Sequence, residues 1–321
     1  MFYISEQSVV DLVPQDKVTD VIAAAYAAMA AGAAANFPVV RERLGHADAI
    51  FGFKSGIDRT GPTLGVKAGG LWPGNRARGL ANHQSTILLF DCDSGAPLAL
   101  VRGTWLTALR TAAASAISIR HLARPDATVL GILGAGGQAE FQVRAAMAQR
   151  AFSRLVIAGR SSARAEALAA ALADTGLSIQ IASAEDMARS SDVIITVTPS
   201  LRAVIAAAWV RPGTHLACMG ADTVGKQEVD AALVARARLF VDEPVQAITL
   251  GECQHAHAAG LIDPAALIPI GAVINGTQAG RTSADEITLF DSTGVGLQDV
   301  AAAQLALTLA QAAGRAVDLE D

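Results

Sequence analysis

Cysteine is scarce in this sequence: three in 321 residues, at Cys92, Cys218 and Cys253. Three thiols so far apart cannot build a disulfide framework, which points to a reducing compartment, the cytoplasm. Aromatic residues make up only 4%. Alanine inflates the 52% hydrophobic content, and no window of 18 residues is uninterrupted and strongly apolar, so no transmembrane helix is expected. The opening MFYISEQSVVDLV has no basic stretch leading into an apolar run and a small-residue cleavage site, so no secretory leader is expected. Positive charge is in deficit, 25 Lys and Arg against 30 Asp and Glu, and the basic residues are scattered. Nucleic acid and anionic membranes are therefore poor partners. Repeats, linkers and low-complexity tails are also lacking, and the length suits two domains.

What is present is glycine in one telling place. TVLGILGAGGQA, from Thr128 to Ala139, is a short apolar run ending in a glycine cluster, with a helical pattern, FQVRAAMAQR, directly after it. Strand, glycine turn, helix is the order that binds a dinucleotide pyrophosphate through backbone N–H groups. Gly134 permits the tight turn, Gly136 removes a Cβ from the path of the phosphates, and Ala139 lets helix and strand pack closely. The glycine spacing alone is weak; its βα context raises it above a glycine-rich turn of some other α/β protein. It lies past residue 130, so a whole domain precedes it.

That first part reads as mixed α and β. Thr19 is placed to cap a helix through DVIAAAYAAMAAGA. Strand-like runs follow, PVVRERL, DAIFGFKS, TLGVKAGG, STILLFD and PLALV, separated by turn residues, and then a long helix from Leu106 to Ala123. From Ala127 the rhythm changes to strand–helix alternation: TVLGIL, RLVIAG, SIQIA, DVIITV, THLACMG and RLFVDE are β-rich runs with Ala-rich helical stretches between them. That is a doubly wound parallel sheet. EITLFD then precedes a last helix, GLQDVAAAQLALTLAQAA, which is expected to fold back on the first part. The expected fold is α/β: a Rossmann dinucleotide domain at 119–299 and a discontinuous α+β substrate domain at 1–118 with 300–321.

A dinucleotide fold names no reaction. Three cations in apolar surroundings carry the rest: Lys67 in LGVKAGG, Arg110 in LTALRTAAASA and Arg41 in PVVRERL. Cations so placed are either solvated or hold an anion, because burying them unpaired is costly, and arginine suits a carboxylate through its forked donors. Each alone reads more simply as a salt-bridge partner, and spacing does not bring the three together.

GVKAGGLWPGN, STILLFDCDSGAPLALV, GTWLTALRTAAASA, ILGAGGQA and GADTVGKQEVD, in that order, resemble the ornithine cyclodeaminase/mu-crystallin family from about Pro38 to the last helix. LTALRTAAASA and GADTVGKQE are the most specific pieces. The resemblance implies a homodimeric NAD(P)-dependent enzyme acting at the C–N bond of a small amino or imino acid. It implies that Arg41, Arg110 and Lys67 hold the substrate carboxylate and that Asp222 acts with Lys67 in proton transfer; the plain alternative for Asp222 is an Asx turn before Gly225. Mu-crystallin-like members lack that aspartate, which tilts the reading toward the cyclodeaminase and amino-acid dehydrogenase branches. The cofactor would lie against Thr111, Gly134, Ala135, Gly136, Gly137, Gln138, Arg160, Ser161, Thr198 and Val295.

Departures from the family pattern sharpen the expectation. Lys54 stands where many members read MPA, and an added cation at a carboxylate site suggests a second acidic group on the substrate. With NFPVVRE, FGFK, NHQST, GKQE and GECQHA, the chain looks most like members that reduce iminosuccinate to aspartate. Ornithine-type cyclodeaminase, alanine dehydrogenase and cyclic ketimine reductase are the alternative enzymes, and a nucleotide-dependent binding protein is the non-enzymatic one. His83, in NHQST, is a substrate or nicotinamide contact, or equally a turn-stabilising residue. The second strand of the dinucleotide domain ends VIAGRSSARAE with no acid for the ribose, so NADP(H) is slightly favoured over NAD(H), although some members without that acid use NAD. Glu252, Cys253, His255 and His257 match no zinc spacing; no metal is expected, and a helical surface or subunit contact is the simpler reading. Arg102 replaces an aspartate common in relatives, and the sequence offers it no partner.

Overall fold

The computed structural model describes residues Met1–Leu319; residues 320 and 321, the end of the expected substrate domain, lie outside the described residues. The chain divides into two compact units, Met1–Arg110 with the stretch from Val295 onward, and Thr111–Gly294. The seams fall within the long central helix and just before the last one. Asp299, which the sequence-based division left with the dinucleotide half, therefore belongs to the first unit.

The first unit opens with β1 (Phe2–Ile4), α1 (Glu6–Leu12) and α2 (Gln15–Ala30). Ser5 caps α1 by accepting the Ser8 N–H at 3.1 Å. Thr19 does not cap α2: the helix starts a turn earlier, after Pro14, whose fixed φ suits a helix entrance, and the Thr19 hydroxyl donates back to the Gln15 carbonyl at 2.9 Å. Val18, Ile22, Ala25 and Tyr26 form the buried side of α2. Strands β2 (Ala34–Asn36), β3 (Val40–Arg43), β4 (Ile50–Asp58), β5 (Thr63–Leu71), β6 (His83–Phe90) and β7 (Pro97–Arg102) follow before α3 (Thr104–Leu122). The sheet runs β1-β7-β6-β5-β4-β2 with β3 beside β4. Successive strands joined by turns pair antiparallel, and among the described residues only β1 and β7 run parallel in this sheet.

The second unit alternates strand and helix: β8 (Val129–Leu133), α4 (Ala139–Met147), β9 (Arg154–Ala158), α5 (Ser162–Ala171), β10 (Ser178–Ile181), α6 (Ala184–Ser190) and β11 (Val193–Thr196). Next come β12 (Leu201–Ile205), β13 (His215–Cys218), β14 (Gln227–Val229), α7 (Ala231–Arg236), β15 (Arg238–Val241), α8 (Pro244–Thr249), α9 (Gln254–Ala258), β16 (Ile268–Pro269), α10 (Ile270–Ile274) and β17 (Thr288–Asp291). The parallel sheet is ordered β10-β9-β8-β11-β13-β17-β15-β16, with β12 and β14 pairing separately. β11, β13 and β17 are buried at every residue, as strands covered on both faces must be. The order reverses between β8 and β11, on either side of the glycine turn, which is the switch point of a Rossmann fold.

The chain then returns to the first unit as α11 (Gly296–Ala312) and β18 (Val317–Asp318), the latter pairing with β1. α11 is apolar nearly all round because it lies buried across the sheet. Its approach is set by small residues beneath it: a Cβ at Gly56 would stand 2.9 Å from Leu297 Cγ, and one at Gly65 3.0 Å from Val300 Cγ2. No helix among the described residues is long and apolar enough to cross a membrane.

Candidate active site

On the face of the first unit's sheet that meets α11, the pleat brings the expected cations together. Lys54 lies directly opposite Lys67, Gly52 opposite Gly69, Arg41 opposite Gly52, and Ser85 opposite Gly69. Alternation along each strand puts all of these on one face. Gly52 and Gly69 contribute no side chains, so Arg41, Lys54, Lys67, Ser85 and His83 surround a floor made of backbone. Like charges directly across a strand pair are destabilising on their own, so Lys54 and Lys67 mark a place that gains from an anion.

One such anion is built in. Asp299, fully buried on the first turn of α11, lies 2.7 Å from Lys67 Nζ and 3.0 Å from Arg110 Nε. Lys67 and Arg110 are only 6% and 7% exposed. Gln298, next in the chain, accepts from Arg110 Nη1 at 3.1 Å and from the Val295 N–H at 3.1 Å, and its amide meets the Tyr26 hydroxyl. Sequence reasoning missed both Gln298 and Asp299. The signal available was a polar pair inside the otherwise apolar helix GLQDVAAA.

The electrostatics follow from burial and crowding. Burial pushes Lys67 down to about 8, with Asp299 opposing and Arg110 and Arg41 adding to the fall. Burial and then the charges of Lys67 and Arg110 push His83 down to about 3, so its imidazole is neutral. Burial alone would raise Asp299, but Arg110 and Lys67 outweigh it and hold the carboxyl below the usual carboxylate range. The result at neutral pH is a charged lysine and an ionised carboxylate beside Arg110, with a neutral histidine on the same face.

In the second unit, β8 ends in the glycine turn. Gly134 has φ +113° and a Cβ there would stand 2.8 Å from the Val197 carbonyl oxygen, so only glycine fits. Gly136 and Gly137 are exposed, and a Cβ at Gly136 would meet nothing within 4 Å. Helix α4 starts beyond them, with Ala139 buried at its first residue. Its N-terminus, the open backbone at Gly136 and the buried Gln138 Oε1, which has no hydrogen-bond partner among the described residues, fit a dinucleotide phosphate and ribose. The helix ends at Met147, short of the FQVRAAMAQR pattern. Arg160 is exposed just after β9, and Ser161 caps α5 by accepting the Arg164 N–H at 3.4 Å. Thr111 is half-buried on α3, and Val295 is buried at the cap of α11.

Asp222 follows β13 and is held by an ion pair, 2.7 Å from Lys226 Nζ, with the Thr223 hydroxyl donating at 3.1 Å. Lys226 Nζ also donates to the Gly220 carbonyl at 3.1 Å. The base of this loop is tied down by Glu228, a residue missed from the sequence. Its buried carboxylate accepts from the Thr196 hydroxyl at 2.6 Å, the Gly220 N–H at 2.9 Å and the Thr198 N–H. Thr198 is thereby fixed at the end of β11.

One expectation is corrected here. The GECQHAHA segment is not a helical surface or subunit contact at its start: Glu252 and Cys253 are buried, and the Glu252 carboxylate accepts the N–H groups of Glu228 and Val229 at 2.8 and 2.7 Å. His255 Nε2 lies 3.2 Å from the Lys226 carbonyl, so this segment braces the Asp222 loop. Among the described residues no group of three or more His, Cys, Asp or Glu side chains is placed to hold a metal ion. Arg102 does have a neighbour, Glu6, with Nε 4.0 Å from Oε2.

A model of the ornithine cyclodeaminase/mu-crystallin family matches residues 4–312. The chain belongs to this family. Within it, the chain is 46% identical over 320 residues to an iminosuccinate reductase from Paracoccus denitrificans, covering all of both proteins. The crystal structure of that reductase in complex with NAD+ superposes with a TM-score of 0.92 over 99% of this chain and 98% of that one. A Thermococcus litoralis Δ1-pyrroline-2-carboxylate reductase, solved with NADH and L-proline, is 28% identical with a TM-score of 0.95 over 99% and 100%. An archaeal alanine dehydrogenase dimer with bound NAD is 31% identical with a TM-score of 0.93 over 99% of each chain. Members of the family that differ in substrate thus share the backbone described above almost end to end.

Proposed function

We propose that this enzyme reduces a small imino dicarboxylate, iminosuccinate in the first place, to the amino acid aspartate at the expense of a reduced nicotinamide dinucleotide. The observation that carries the reading is Lys54 standing directly opposite Lys67 on the face that also holds Arg41. A substrate with two carboxylates matches a face that carries Arg41, Lys54 and Lys67 together. The 46% identity to an iminosuccinate reductase points the same way.

In this reading Arg41, Lys67 and Arg110 hold the α-carboxylate and Lys54 the distal one, while neutral His83 offers a hydrogen bond without adding charge. Fixing both ends of the substrate fixes the imine carbon between them. Lys67 is an ammonium below about pH 8, so it supplies positive charge beside the imine, and Asp222 serves in proton transfer with Lys226 fixing its carboxylate. Gly134, Ala135, Gly136, Gly137 and Gln138 would hold the dinucleotide, and Thr111, Thr198 and Val295 complete the residues assigned to it. When bound it supplies the hydride for the imine carbon. Arg160 and Ser161 follow β9 where an NAD-selective fold places an acid; we assign NADP(H) a slight advantage on that charge, against the NAD+, NADH and NAD of the three solved relatives. Val40 and Phe53, opposite each other on the sheet face away from α11, are 47% and 43% exposed, an apolar patch that we assign to a homodimer contact. The three free thiols suit the cytoplasm.

The test is a screen of NADH and NADPH with ammonia against oxaloacetate, pyruvate, glyoxylate and cyclic imines, read as net loss of reduced-nicotinamide absorbance. Oxaloacetate with ammonia should give the highest kcat/KM. Release of ammonia and a cyclic imino acid from ornithine with no net cofactor change would overturn the reductase reading in favour of a cyclodeaminase. Lys54→Met should raise KM about tenfold for a dicarboxylic substrate, the loss of one charged contact, and leave a monocarboxylic one unchanged. An equal response of both substrates would remove Lys54 from the distal-carboxylate role. Arg160→Ala should reduce kcat/KM with NADPH and leave NADH unaffected.

A further inference from the structure

Substrate anchors in an active site are commonly drawn as waiting for their anion, yet Lys67 and Arg110 already share one. Asp299 cannot swing away to make room. It sits on the first turn of α11, is fully buried, and that turn is wedged so close to β4 that a Cβ on Gly296 would fall 2.5 Å from Ser55 backbone atoms. Nor can Arg110 rotate freely. Its Nε is committed to Asp299 and its Nη1 to Gln298, and Gln298 is itself held by the Val295 N–H and the Tyr26 hydroxyl. Two consecutive side chains of one helix thus set the plane of the guanidinium and, through Asp299, the position of the ammonium.

We infer that Asp299 is a positioning residue for the proposed imine reduction, a permanent internal anion that holds Lys67 charged and in line with Arg110 before and after the substrate carboxylate binds. The substrate carboxylate is then the second anion on these cations and does not displace the first. The inference rests on the functional reading above and extends it to a residue outside the substrate's own contacts. Its physical basis is that two buried cations side by side repel and are costly to desolvate without a fixed counter-charge. An isosteric amide at position 299 keeps the shape and removes that charge.

The experiment uses the purified enzyme, the substrate pair from the screen above, and kcat/KM from pH 5.5 to 10. In the wild type an alkaline limb near pH 8 is expected from Lys67 losing its proton. Asp299→Asn should move that limb toward acid by about one pH unit or more, because the charge that favours the ammonium is gone. NADH affinity, which depends on the second unit's glycine turn, should be unchanged. Asp299→Glu keeps the charge and moves it by one methylene: its limb should stay with the wild type while kcat falls about 100-fold, the cost of misplacing an anchor by about 1 Å. A merely structural residue would lower thermal stability and active fraction with no movement of the limb. An Asp299→Asn enzyme with an unmoved limb, or an Asp299→Glu enzyme with wild-type kcat, overturns the inference. If Asp299→Asn does not fold, Asp299→Glu decides alone. Failure of the functional reading looks different, since the wild type itself would then reduce no imine.

Discussion

Burying an ammonium and a guanidinium together is unfavourable unless an anion accompanies them, and Asp299 is that anion for both Lys67 and Arg110. Removing either cation leaves the carboxylate still paired with the other. Lys67→Ala and Arg110→Ala should therefore both fold, lose turnover by about a thousandfold if they take the proposed role of holding the reacting substrate, and keep nearly full cofactor affinity by fluorescence titration. Equal loss of cofactor binding in both variants would show that they do not act on the substrate. Arg41, Lys67 and Arg110 stood out because a charge in an apolar stretch needs a reason, but only the family resemblance grouped them. Asp299 did not stand out, because its partner Arg110 is 189 positions away in sequence and a single acid in a helix ordinarily faces solvent. Glu228, and the bracing role of Glu252, were hidden because most of their partners are backbone N–H groups, which leave no trace in sequence.

Elements were easier to read than their ends. Strand–helix alternation after Ala127 gave the parallel sheet, and the turn-separated apolar runs before it marked the strands of the other sheet, because both patterns are local. The short β1 and α1 escaped notice: three and seven residues are too few to establish a period. The start of α2 was misplaced because a threonine ahead of an apolar stripe looks like a cap, whereas Pro14 had already set the entrance. At the glycine turn the structure separates two residues that the motif treats alike. Gly134 needs its positive φ and has no room for a Cβ, so Gly134→Ala should lower the melting temperature by several degrees, a cost of about 1–3 kcal/mol. Gly136 has open space around it, so Gly136→Ala should melt with the wild type yet bind NADH about tenfold more weakly if the phosphates pass over it as proposed. Equal melting temperatures with equal NADH affinity would show that the dinucleotide does not pass over Gly136.

Across the whole molecule, buried titratable groups pull stability in opposite directions with pH. His215 lies between the Ser118 hydroxyl at 3.1 Å and the Thr288 hydroxyl at 2.9 Å, and burial pushes it down to about 3, as it does His83. Each binds its proton more weakly folded than unfolded, so stability is lost as pH falls from about 6.5 toward 3. Asp291, at the end of β17, is pushed up by burial to about 7, with N–H groups of Cys253 and Glu252 opposing and Asp242 adding. It binds its proton more tightly folded than unfolded, so stability present in acid is lost as pH rises from about 4 through 7. Because these slopes overlap, the wild-type curve alone does not separate them, but Asp291→Asn does. The amide oxygen can keep the Cys253 N–H that Asp291 Oδ2 accepts at 2.9 Å, and the variant carries no charge at any pH. Its stability relative to wild type, from urea unfolding, should rise by about 1.4 kcal/mol for each pH unit between 5 and 7 and then level off. A difference constant with pH would mean that Asp291 keeps an ordinary carboxylate's proton affinity, and that the interior of the second unit tolerates its charge.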